Sequence, residues 1–233
     1  MFVCFSPALF GQTAFVAAGD SITDAVGRCD VTISSQRWYN QANSLSWFSP
    51  RSGTWYQSAS SGWQISNLVS DYSFSVAPHK PNGTTVINAY LFVYIGTNDL
   101  GIGGASAATV RTNLHTYWGM GRADGFKIVA FTVRSNQEDY ADGSDTQRQT
   151  LNSYIRSDSA YWDWLADIDA DSTLGTATTS SSVWNSTITC DGTHLTVAGL
   201  RDFAQVVNSA MAAIYSGVSR FGSIAISGPV AMQ

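Results

Sequence analysis

The chain has 233 residues, 44% of them hydrophobic and 12% aromatic, enough to bury one sizeable core without a metal or a covalent staple. Its net charge of −5, with 12 Lys and Arg scattered singly, argues against a general nucleic-acid binder, because phosphates are neutralised by clustered cations. No apolar segment approaches the ~20 residues that a bilayer-spanning helix needs, so no membrane span is expected.

In chain order, the apolar stretch from Phe2 through Phe10 has the character of a secretory signal but lacks a basic start. The expectation is an ordered lead-in over 1–13 rather than a signal remnant. The run Ala14-Phe15-Val16-Ala17-Ala18 then reads as a buried strand ending in Gly19-Asp20-Ser21-Ile22-Thr23, a turn that aims Ser21 at solvent. In an open α/β sheet the carboxyl ends of strands are where ligands bind. Taken alone, this segment fits a helix N-cap as well as a nucleophile.

Further strands are expected over 54–59, 87–95, 126–133 and 165–169, and helices over 36–47, 63–72, 105–119, 146–164 and 196–215. In the last of these Val197, Leu200, Ala204, Val207 and Ala210 recur at helical spacing. This βαβ alternation predicts one domain over 1–233, a three-layer α/β/α sandwich around a mostly parallel five-stranded sheet. The role of the Gly- and Ser-containing tail over 217–233 is left open between an edge strand and a precursor remnant.

Two distant segments decide between capping and catalysis. Asp191-Gly192-Thr193-His194 places a carboxylate and an imidazole three residues apart, just before the last helix. A hydroxyl is a poor nucleophile until a neighbouring base accepts its proton, and that base needs a third group to hold its tautomer. Tyr90-Leu91-Phe92-Val93-Tyr94-Ile95 ends in Gly96-Thr97-Asn98-Asp99, another strand end, with an amide able to donate to an oxyanion.

These blocks resemble the SGNH hydrolases, also called the GDSL-type esterase/lipase family, over most of the chain. The matching segments are GDSIT at 19–23, Gly62 in Ser60-Ser61-Gly62-Trp63, GTND at 96–99 and DGTH at 191–194. The resemblance implies Ser21 as nucleophile, His194 as base and Asp191 as its orienting acid. It also implies an oxyanion hole made by the Ser21 N–H, the Gly62 N–H and the Asn98 amide. Gly53 is a less well placed competitor for Gly62. A Gly-x-Ser-x-Gly nucleophile elbow would need glycine where Thr23 stands, which argues against the standard α/β-hydrolase plan.

The expected function is hydrolysis of carboxylic esters through an acyl-enzyme, with short acyl or O-acetyl groups favoured because no lid insertion is evident. The expected partner is a small-molecule or carbohydrate ester. Trp47, Trp55, Trp63 and Trp184 are candidate stacking faces for a sugar, and core packing explains them equally well. The alternative from another class is a glycan-binding module on the same fold without turnover; a long-chain lipase, lysophospholipase or thioesterase would share the chemistry.

No cofactor or metal is expected. There is no Cys-x-x-Cys spacing, and Asp167-Ile168-Asp169-Ala170-Asp171 lacks the glycine and glutamate of a calcium loop. Gly101-Ile102-Gly103-Gly104 reads as a rim loop rather than a phosphate cradle. His79 and His115 have no acid nearby in sequence and are read as structural. Of the three cysteines, Cys29 and Cys190 either bridge two active-site loops or stay as small buried thiols. The low charged fraction leans toward an exported protein over a cytoplasmic one.

Overall fold

The computed structural model describes residues 11–51, 53–136, 144–175 and 186–213. The segment 1–10 with Cys4, Trp184, the end of the last expected helix and the tail over 217–233 lie outside the described residues.

Five strands form one parallel sheet in the order β2-β1-β3-β4-β5. They are β1 (Gln12–Gly19), β2 (Thr54–Ala59), β3 (Val86–Tyr94), β4 (Lys127–Phe131) and β5 (Trp164–Ala166). The first strand lies inside the sheet, paired with β2 on one side and β3 on the other. The chain therefore leaves β1 for one edge and later returns across it, which makes the C-terminal end of β1 a topological switch point. The α/β sandwich expected from the sequence is the fold observed.

Because helices cover both faces, β1 is a continuous apolar run rather than an alternating one. Phe15 and Ala17 enter one core, Ala14, Val16 and Ala18 the other. The first core packs the sheet against α2 (Trp38–Ala42) and α7 (Val197–Ala212), around an aromatic cluster of Phe15, Trp38, Phe92 and Phe203. The second packs it against α3 (Ile65–Ser75), α5 (Ala107–Ala123) and α6 (Ser144–Ser157). Two short helical turns, α1 (Ser21–Asp24) and α4 (Thr97–Leu100), follow β1 and β3 directly.

Two elements differ from expectation. The helix expected over 36–47 is only Trp38–Ala42, and Trp47 and Phe48 reach the core from irregular backbone beyond it. Trp47 is 4% exposed and edge-on to Tyr90 at 5.4 Å, so it is a core side chain rather than a stacking face. The helix expected over 146–164 stops at Ser157. There the Asp158 carboxylate turns aside to Arg111 and to His115 at 2.7 Å, and the Trp162 indole N–H closes on the Ile155 carbonyl.

Candidate active site

The sheet register brings three strand ends onto one rim. Gly19 pairs with Ala59 of β2 and with Tyr94 of β3. Ser21, Gly62 and Asn98 follow two, three and four residues beyond these aligned positions. At Gly19 the chain turns so closely against β3 that an added Cβ would sit 2.4 Å from the Tyr94 carbonyl oxygen. Glycine is required there by contact rather than by conformation.

The capping question is settled by the neighbour of the serine. Asp20 is the N-cap of α1, its Oδ1 accepting from the Ile22 N–H at 2.9 Å. The Ser21 hydroxyl instead meets His194 Nε2 at 3.0 Å, and His194 Nδ1 lies 2.6 Å from Asp191 Oδ2. The other Asp191 oxygen accepts from the backbone N–H groups of Thr193 at 2.9 Å and His194 at 2.7 Å. Burial pushes the Asp191 carboxyl up, but the His194 ring and these two N–H groups outweigh it and hold the carboxyl below the ordinary range. It stays an anion facing the imidazole. Ser21 is 8% exposed, so the hydroxyl expected to face solvent is largely enclosed.

The turn carrying Asp191 and His194 is tied down at several points. Thr189 bridges Leu195 antiparallel across its base, the Arg134 guanidinium donates to the Thr193 carbonyl at 2.7 Å, and Thr193 hydrogen-bonds Asn136. A disulfide joins Cys29 to Cys190, which realises the bridge that the sequence left open. Among the described residues, Cys29, Cys190 and Asp191 form the one cluster with metal-ligand atoms close together, but its two sulfurs are bonded to each other.

Opposite this turn, the segments after β2 and β3 are knitted together. The Asn98 side-chain amide donates to the Trp63 carbonyl at 2.9 Å, and the Asp99 carboxylate accepts from the Ile65 N–H at 3.2 Å. Gly62 has φ +78° in the turn closed by the Trp63 N–H on the Ser60 carbonyl, a position that favours glycine. An amide nitrogen carries two hydrogens, so Asn98 can hold Trp63 and still present a second donor. Gly53 lies elsewhere, before β2, where a Cβ would strike the Phe15 ring.

Two buried acids beneath this rim were not singled out by sequence. Burial pushes the Asp20 carboxyl up to about 7, with the nearby Asp99 charge adding to the rise against the Ile22 N–H. Burial likewise raises Asp99 to about 6, against the Ile65 N–H. Their motif neighbours drew attention, whereas burial is a tertiary property. The other histidines are occupied elsewhere: His115 with Asp158, and His79 stacked on Tyr56 at 3.4 Å. Asp167 and Asp169 of the calcium-like run meet Arg156 at 2.7 and 2.9 Å.

A parallel sheet with these strand-end blocks defines a hydrolase class, and the sequence matches the GDSL-like lipase/acylhydrolase family over residues 17–201. The chain belongs to that family. No curated protein sequence matches it. Among solved structures it resembles a member of the lipolytic G-D-S-L family from Veillonella parvula, with 16% identity and a TM-score of 0.65 over 84% of this chain and 96% of that one. It is also similar to a mutant of Axe2, an acetyl-xylooligosaccharide esterase from Geobacillus Stearmophilus, with 13% identity and a TM-score of 0.64 over 87% and 96%. A lipase/acylhydrolase from Enterococcus faecalis shows 19% identity and a TM-score of 0.60 over 84% and 94%. Each supports the fold.

Proposed function

We propose that this chain is a serine esterase that hydrolyses carboxylic esters of short acyl groups, including O-acetyl groups on carbohydrates. The observation that carries the reading is the unbroken relay from Ser21 Oγ through the His194 ring to the Asp191 carboxylate, at 3.0 and 2.6 Å. His194 Nε2 takes the hydroxyl proton as Ser21 Oγ attacks the ester carbonyl, and Asp191 stabilises the imidazolium that results. The proton then passes to the departing alkoxide, leaving an acyl-serine that water cleaves by the same steps in reverse order. The negative oxygen formed at each attack is met by the Asn98 amide and the N–H groups of Gly62 and Ser21.

The short-chain preference rests on the lack of a lid insertion in the sequence and on the acetyl-ester activity named for the Axe2 fold relative. A disulfide persists in oxidising compartments, so the Cys29–Cys190 bridge supports an exported protein. Steady-state hydrolysis of p-nitrophenyl acetate, butyrate and octanoate, together with acetate release from acetylated xylooligosaccharides, tests the proposal. The expected order of kcat/KM falls from acetate to octanoate. A rising order would point to a long-chain lipase. Saturable binding of the xylooligosaccharides with no release of acetate and no turnover of the aryl esters would support the glycan-binding alternative.

A further inference from the structure

Between α1 and α2 the chain makes a small closed loop. The Arg28 N–H donates to the Ala25 carbonyl, the Val31 N–H to the Arg28 carbonyl and the Gly27 N–H to the Val31 carbonyl. Ala25 and Cys29, with φ of 54° and 49°, are the only non-glycine residues with positive φ among the described residues. L side chains disfavour that region, so the loop holds its shape against local preference. Its N-terminal end leaves directly from the helical turn that carries Ser21.

Three consecutive side chains of this loop reach three other parts of the rim. The Arg28 guanidinium donates to the Ser61 hydroxyl, next to Gly62. Cys29 is bonded to Cys190, next to Asp191. The Asp30 carboxylate accepts from the Val197 N–H at 2.7 Å, at the start of α7 and three residues beyond His194. The acid–base turn is thus fastened on both flanks, at 190 and at 197, to the element that carries the nucleophile.

We propose that Arg28-Cys29-Asp30 is a positioning clamp that holds the His194–Asp191 pair in register with Ser21, with the Cys29–Cys190 disulfide as its redox-sensitive joint. The inference rests on the esterase reading above. Cys190 is exposed, so a small dithiol can reach the bond. Reduction transfers two electrons and two protons from the dithiol, which closes to its own disulfide, and leaves Cys29 and Cys190 as separate thiols. The hydrogen bond from Val197 to Asp30 then ties the turn to this loop on one flank only. Misplacing a catalytic group by about 1 Å can cost on the order of a hundredfold in rate, and the effect falls on the chemical step rather than on ester binding.

The test compares oxidised protein, protein reduced with dithiothreitol, and the Cys29→Ser/Cys190→Ser variant, all in a Cys4→Ser background so that one redox couple is read. Each is assayed with p-nitrophenyl acetate below its own melting transition, and Asp30→Ala is assayed beside them with its disulfide intact. The expected result is a kcat lower by about tenfold or more in the reduced, doubly substituted and Asp30→Ala proteins, with KM within about twofold. Reoxidation should restore the reduced sample. Proton NMR supplies a readout independent of turnover: the far-downfield His194 Nδ1–H signal, sheltered by Asp191 in the oxidised protein, should broaden or vanish on reduction. A folded, reduced protein that keeps both its kcat and this signal overturns the clamp. Oxidised protein that shows the signal and its redox response but no ester hydrolysis would instead refute the esterase reading and leave the clamp standing.

Discussion

Replacing Asn98 by alanine separates stabilisation of the transition state from substrate binding. In the structure the Asn98 amide donates to the Trp63 carbonyl at 2.9 Å, and the residue is 7% exposed. Its loss therefore has two parts. Leaving the Trp63 carbonyl without that donor costs ~1 kcal/mol of stability, or about 2–4 °C in Tm for a domain of this size. Removing the donor proposed for the developing oxyanion should cost ~3 kcal/mol of transition-state stabilisation, on the order of a hundredfold in kcat, while KM stays within about threefold. Kinetics on p-nitrophenyl acetate and a thermal melt of the same preparation measure both parts. An unchanged kcat with a raised KM, in a protein that still folds, would remove Asn98 from the oxyanion hole. It would leave that residue only the task of fastening the turn after β2.

The buried Asp20 makes stability depend on pH. Its carboxyl rises from 3.8 to about 7 on folding, so the folded chain holds a proton that the unfolded chain has released, and stability is lost as pH rises from about 4 to 7. At ~1.4 kcal/mol per pH unit this is at most about 4 kcal/mol, or on the order of 10 °C in Tm. Asp20→Asn keeps an oxygen for the Ile22 N–H and does not titrate, so its Tm should match the wild type near pH 4 and exceed it at pH 8; a difference independent of pH would refute the buried-acid account. Arg148 is 3% exposed, paired with Asp145 and Asp169 and donating to the Val133 carbonyl two residues past β4. Arg148→Ala leaves Asp145 without its cation and Asp169 with Arg156 alone, and should lower unfolding free energy in urea by roughly 2–3 kcal/mol; a loss below ~1 kcal/mol would mean that the cluster is solvated.

Strands β1 and β3 were legible because each carries an apolar run that ends at or just before a glycine. The four blocks of the rim were legible for the same reason, since each follows an apolar strand or precedes an amphipathic helix. Misreadings came where apolar spacing reports burial without regular backbone. Trp38, Trp47 and Phe48 all serve the aromatic core, yet only the first lies in a helix. The short β5 gives way to a turn capped by Asp167, whose side chain accepts from the Ala170 N–H at 3.3 Å, so the strand expected to reach 169 stops at Ala166. The pairing of Cys29 with Cys190 and the contacts of Arg28 and Asp30 join residues separated by 33 to 167 positions. No local pattern encodes them; they follow from the strand order that folds the rim together.

The central claim is that Ser21 is the nucleophile, and covalent trapping tests it most directly. The protein is treated with diethyl p-nitrophenyl phosphate, residual p-nitrophenyl acetate hydrolysis is followed, and the modified residue is mapped by tandem mass spectrometry. The account predicts one diethylphosphoryl group per chain on Ser21, formed in step with the loss of activity, and no labelling at the rim of Ser21→Ala, which should also be inactive. Complete inactivation with the label on another residue, or wild-type turnover by folded Ser21→Ala, would contradict it.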